Sequence, residues 1–242
     1  MKALCLPASS LLRAALLAAL GLSAAAARAQ SFCASDGQAQ PVQLMERFIN
    51  ADCASCWAEP DTPRAGPGQV ALDWVAPGSK GDDAPLSTVA NRDATDRLQA
   101  LRHKLPAKTS FRIHPVKGLA GSALRVSHGT PVADYVGASI ELQPIPAAAK
   151  GQRWTAWLAL VETLPAGTEG TPTERNLVRN LLQTPFDGRK PLLKDEQNRF
   201  FEARSMNIPG GAKPERLRVI GWVEDARGQV VTAAQSRCET TN

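Results

Sequence analysis

Aromatic residues are scarce in this chain, at 5% of the total with a single tyrosine, and histidine occurs only three times. No cluster of cations with interleaved aromatic rings is present, and nucleic-acid binding is not expected. There is no second Cys-x-x-Cys and no spaced histidine pair. One of His103, His114 and His128 could join cysteines in a copper or zinc site, but no metal site is assigned on this pattern, and no cofactor motif is present. A serine nucleophile is equally unsupported: "GASIE" lacks the glycine that must follow the serine at a nucleophile elbow. Beyond residue 29 no run is long and apolar enough to span a bilayer.

What is present begins with a leader. Lys2, the apolar "LLRAALLAALGL" and the small-x-small "ARA" at 27–29 have the pattern of a secretory signal peptide cut before Gln30. The expected mature protein is soluble and periplasmic or secreted, with no membrane contact. Removing Lys2, Arg13 and Arg28, with no acid lost, lowers the formal charge from +5 to +2. The remaining length suits one large or two small domains.

Cys5 leaves with the leader, so Cys33, Cys53, Cys56 and Cys238 remain. An even count in an exported chain suggests disulfides. Of the three connectivities, spacing favours Cys53–Cys56 closing locally and Cys33–Cys238 pinning the two ends. A loop that long is worth ~4–5 kcal/mol in the chain-entropy model.

Alternation and apolar runs predict strands at "QPVQLMERFINA", "QVALDWVA" and "TSFRIHPV". "STVANRDATDRLQALRHKL" has helical spacing, with Ser87 or Thr88 as candidate cap. The order strand, Cys-x-x-Cys, strand, helix, strand is that of an α/β unit, and predicts a thioredoxin-like site. Later segments alternate like strands, with "EDARGQ" as a hairpin turn. The expected architecture is therefore α/β plus β. A thioredoxin-like N-terminal domain (30–125) follows the leader (1–29), and a β-rich, sandwich-like module (126–242) follows it.

In that reading Cys53 is the attacking thiol and Cys56 the resolving one. His114–Pro115 is the candidate cis-proline peptide facing them. Partners would be thiol-bearing envelope proteins, and the activity thiol–disulfide exchange or redox sensing. Other features oppose this. Asp52 sets a negative charge beside Cys53, and Pro60, Pro63 and Pro67 interrupt any following helix. The alternative is a non-catalytic envelope binding or structural module in which Cys53–Cys56 is a permanent disulfide. The sequence does not specify an oligomeric state.

Four blocks in order resemble an exported bacterial family, domain of unknown function 1223. They are "PVQLMERFINADCASCWAEPD", "QVALDWVA", "GTEGTPTERNLVRNLL" and "LRVIGWVEDARGQVVTAA". Glu169, Gly170, Asn176, Val178 and Arg179 carry the third. The resemblance implies a thioredoxin-like domain with a β-rich extension and no established reaction. The family's proline-containing motif has no clear copy here, and Cys33 and Cys238 are additions to its pattern.

Overall fold

The computed structural model describes residues 33–187 and 198–238. The signal-peptide expectation lies outside them. The described residues fold as part of one compact unit built on two sheets.

The strands are β1 (Cys33–Ala34), β2 (Gln43–Asn50), β3 (Gln69–Ala76), β4 (Thr109–Pro115), β5 (Ala123–His128) and β6 (Tyr135–Gln143). They continue as β7 (Arg153–Leu164), β8 (Arg175–Asp187), β9 (Phe200–Asn207), β10 (Leu217–Glu224), β11 (Val230–Gln235) and β12 (Arg237–Cys238). Seven make one sheet in the order β11-β10-β7-β8-β3-β2-β4, and five make the other, β12-β1-β5-β6-β9. The smaller sheet is antiparallel throughout. In the larger one β3 runs parallel to β2, and meets β8 in parallel through the single pair Asp73–Leu177.

The sheets pack face to face over part of the larger one. Alternate residues of β5 and β6 (Leu124, Val126, Ile140, Leu142) meet alternate residues of β7 and β10 (Ala156, Leu158, Leu160, Val219, Val223). Period-2 side-chain alternation places the intervening residues on the opposite faces. Trp157, Ala159 and Val161 of β7 therefore reach a second core, beneath the helix α2 (Arg92–Ala100). Ala94 and Leu98 of that helix pack there against Leu44, Phe48, Leu72 and Trp74. Asn91, not Ser87 or Thr88, caps α2: its Oδ1 accepts from the Ala94 amide at 3.0 Å, satisfying one of the helix's free N–H groups. Ser87–Val89 form a separate 3₁₀ turn.

This arrangement overturns the thioredoxin-like expectation. Among the described residues only two α-helices occur, α1 (Ala54–Trp57) and α2, against twelve strands. The helix that should follow the cysteines stops after four residues, and Pro60, Pro63 and Pro67 allow no more. One face of β2 and β3 is covered by α2, and on the other Ile49 and Val75 pack against the cysteine turn and the short 3₁₀ segments around Ala84 and Val89. Their sheet runs on through β8, β7 and β10 instead of closing as an α/β unit. The expected boundary at 125/126 falls inside β5, and each sheet draws strands from both sides of it.

Candidate functional site

Cys53 and Cys56 sit at the carboxyl end of β2, where the chain turns into α1. They are bonded to each other, with Cα atoms 5.5 Å apart. Cys56 is buried in a small cluster with Ile49, Val75, Leu164 and Leu177, and Cys53 is only partly covered. A one-turn helix has few aligned peptide dipoles to stabilise a thiolate at its start.

The residue before Cys53 is an acid. Asp52 Oδ2 accepts hydrogen bonds from the Ser79 amide and hydroxyl, each at 2.8 Å, and Oδ1 accepts from the Lys80 amide at 3.2 Å. The Ser79 hydroxyl bond and the backbone donors hold this exposed carboxyl below the usual range. Gly78 makes room for the approach: a Cβ there would lie 2.3 Å from the Asp52 carboxyl carbon. The Cys53 sulfur itself lies 3.7 Å from the Ser55 hydroxyl.

Below this turn lies a buried charge cluster that ties it to the sheet. Asp73 of β3 has no solvent exposure. Its Oδ2 accepts from Arg47 Nη2 at 2.6 Å and from the Asn176 amide at 2.9 Å, and its Oδ1 accepts from Arg175 Nη1 at 2.8 Å. The two arginines then hold the chain that follows the cysteines. Arg47 Nη1 donates to the Pro63 carbonyl, and Arg175 Nη2 to the Trp57 carbonyl. The Arg175 guanidinium also lies 4.7 Å from the centre of the Trp57 ring, while the indole N–H donates to the Glu169 carbonyl. Trp57 thus anchors the turn to the 165–175 loop. Charged hydrogen bonds of this kind are worth most when every member is satisfied.

Beside the cluster are two polar clefts. One, of about 340 Å³, is bordered by Arg47, Arg64, Gln69, Thr173 and Asn176. The other, of about 440 Å³, shares Gln69 and Asn176 with the first and extends to Gln38, Gln40 and Arg218. Arg47 Nε is buried without a hydrogen-bond partner.

The remaining sequence-predicted residues lie elsewhere. Pro115 pairs with Gln43 at the start of β2, whereas the cysteines follow its end. Among the described residues the cis peptide bond is Gln143–Pro144, so His114–Pro115 is trans and cannot face the cysteines as a cis-proline loop. Its neighbour His114 instead lies 3.0 Å from Glu46 on the α2 side of the sheet. Cys33 and Cys238 are joined, as expected, by a disulfide spanning 205 residues. Sequence reasoning missed Arg47 and Arg175. The only available signal was a charged residue within an otherwise apolar strand, as Asp73 is in "QVALDWVA".

No helix of the described residues is long and apolar enough to cross a membrane. No protein-family model and no curated protein matches the chain. A solved structure, HBP35 of Porphyromonas gingivalis, aligns over 85% of this chain and 76% of its own at 10% identity and a TM-score of 0.45. At that level the likeness carries no argument about shared fold or activity, and the chain's two disulfides and buried charge cluster stand as the functional features to be explained.

Proposed function

We propose that this protein is a non-catalytic binding or structural module of an oxidising compartment of the cell envelope, with Cys53–Cys56 as a permanent staple. The carrying observation is the electrostatics of Cys53. An exchange catalyst needs a stabilised thiolate at the exposed cysteine. Here the neighbouring Asp52 carboxylate is fixed in place and kept ionised by Ser79 and Lys80. The helix after Cys53 is one turn long. The bond's role is then mechanical: it closes the turn whose next residues, Trp57 and Pro63, dock on Arg175 and Arg47. The concave surface that such a module offers is the pair of polar clefts that share Gln69 and Asn176.

The reduction potential of Cys53–Cys56 in a Cys33→Ser/Cys238→Ser background tests this. A staple is expected below about −300 mV, with no catalysis of insulin reduction. A potential of roughly −120 to −270 mV with measurable turnover would instead make the pair an exchange catalyst.

A further inference from the structure

Cys238, Cys33 and His128 stand side by side on three neighbouring strands. Cys33 is in register with Cys238 of β12 on one side and with His128 of β5 on the other. Both sulfurs and a ring nitrogen of His128 lie within 4.8 Å of one another. His128 is 3% exposed. Its Nδ1 lies 3.0 Å from the Gly129 carbonyl oxygen. A carbonyl can only accept, so Nδ1 carries the proton. The lone pair therefore sits on Nε2, which is buried and has no hydrogen-bond partner. A ring held by an Nδ1–H···O=C bond with Nε2 free is the arrangement of a metal-ligating histidine.

We propose that the dithiol form of this cluster is a soft-metal site, in which Cys33 and Cys238 thiolates and His128 Nε2 bind one Cu(I) ion. Two soft thiolates and one borderline imidazole, which also suits copper, supply the three ligands of a trigonal site. Zn(II) prefers a fourth ligand and would have to keep a water. The site opens when an external dithiol exchanges with the Cys33–Cys238 bond. Two electrons pass to the protein sulfurs, the reductant leaves as its own disulfide, and two protein thiols result. Binding of Cu(I) then releases both thiol protons to solvent. Arg218 Nη1, 3.6 Å from the Cys238 sulfur, offsets the charge of the thiolates. Either linkage, disulfide or metal, keeps β12, β1 and β5 joined.

The test is anaerobic titration of the phosphine-reduced Cys53→Ser/Cys56→Ser chain with Cu(I), in competition with a chromogenic Cu(I) chelator. One equivalent should bind, and His128→Ala should weaken binding on the order of tenfold or more. That variant should still re-form the Cys33–Cys238 bond on oxidation. If the serine background does not fold, the reduced natural chain is compared with its His128→Ala variant, and the same drop is expected. Equal copper affinity with and without His128, or equal uptake by a Cys33→Ser/Cys238→Ser chain, would overturn the site.

Discussion

Glu46 is a carboxylate with no access to solvent, in the middle of β2 on the face beneath α2. Arg97 of α2 reaches down to it with Nε and Nη2, both at 2.8 Å, and Nη2 also lies 2.7 Å from Glu224. The indole N–H groups of Trp157 and Trp222 donate to Glu224, and the two rings stack 5.8 Å apart. The guanidinium lies 4.7 Å from the Trp157 ring centre. Burial alone would raise the Glu46 pKa, but the Arg97 charge, then His114 Nε2 3.0 Å away and the Arg97 hydrogen bonds, outweigh it and bring it down to about 2. A carboxyl depressed in the folded state stabilises above its unfolded pKa, near 4.5, and loses that contribution as pH falls toward 2. Urea denaturation should therefore show a loss of about 2 kcal/mol between pH 6 and pH 3 attributable to this group. Glu46→Gln should be less stable at pH 6, with Arg97 left half-paired, and should lack that part of the slope. Parallel pH curves for the two proteins would refute the assignment.

At the scale of elements, the sequence was most legible where the apolar residues keep the period of a strand or a helix, even in strands buried on both faces. The hairpin of β10 and β11, the long β7, and α2 announce themselves by their periods. β8 does not. Its first half, "RNLVRN", places Arg175, Asn176 and Arg179 in the interior, where a pattern of alternation expects apolar residues. Arg175 and Arg179 are satisfied by Asp73 and Glu162, and the Asn176 side chain by the Ala71 carbonyl and the Thr163 hydroxyl, partners that no local pattern reveals. Without β8 the parallel pair of β2 and β3 looks like the start of an α/β unit, which explains the thioredoxin-like expectation. The tight contact between sheets was equally invisible. Gly221 of β10 faces β5 and β6 so closely that a Cβ would lie 2.5 Å from Val126 Cγ1 and 3.0 Å from Ile140 Cδ1. Gly221→Ala must push the sheets apart or force rotamers, at a cost of about 1–3 kcal/mol. Gly137→Ala on β6, with nothing within 4 Å of its added methyl, is the control and should change the melting temperature little. Equal melting temperatures for the two variants would mean that the sheets do not meet at Gly221.

For the whole molecule, the two disulfides are predicted to contribute very differently, although each is a single covalent bond. Cys33–Cys238 closes a loop of 205 residues, and Cys53–Cys56 one of three. In the chain-entropy model the long loop restricts the unfolded chain far more, by about 5 kcal/mol against about 2. Native contacts point the same way. β1 and β12 are two residues each, too short to hold an edge alone, and they are tethered to β5 through that bond and its register partners. The turn at Cys53–Cys56 has independent anchors in Arg47, Arg175 and Trp57. Equilibrium urea unfolding of the Cys33→Ser/Cys238→Ser chain should thus show a loss of about 2–5 kcal/mol, and the Cys53→Ser/Cys56→Ser chain a loss of about 2 kcal/mol or less. Native-state hydrogen exchange separates the causes. Loss of the long bridge should deprotect β1 and β12 first, by local opening, while the seven-stranded sheet keeps its protection relative to the new global stability. If the short bridge proved the costlier one to remove, the turn it closes would be held by the disulfide and not by the buried arginines. The Asp73 cluster would then have to be read as serving a ligand in the adjoining polar cleft.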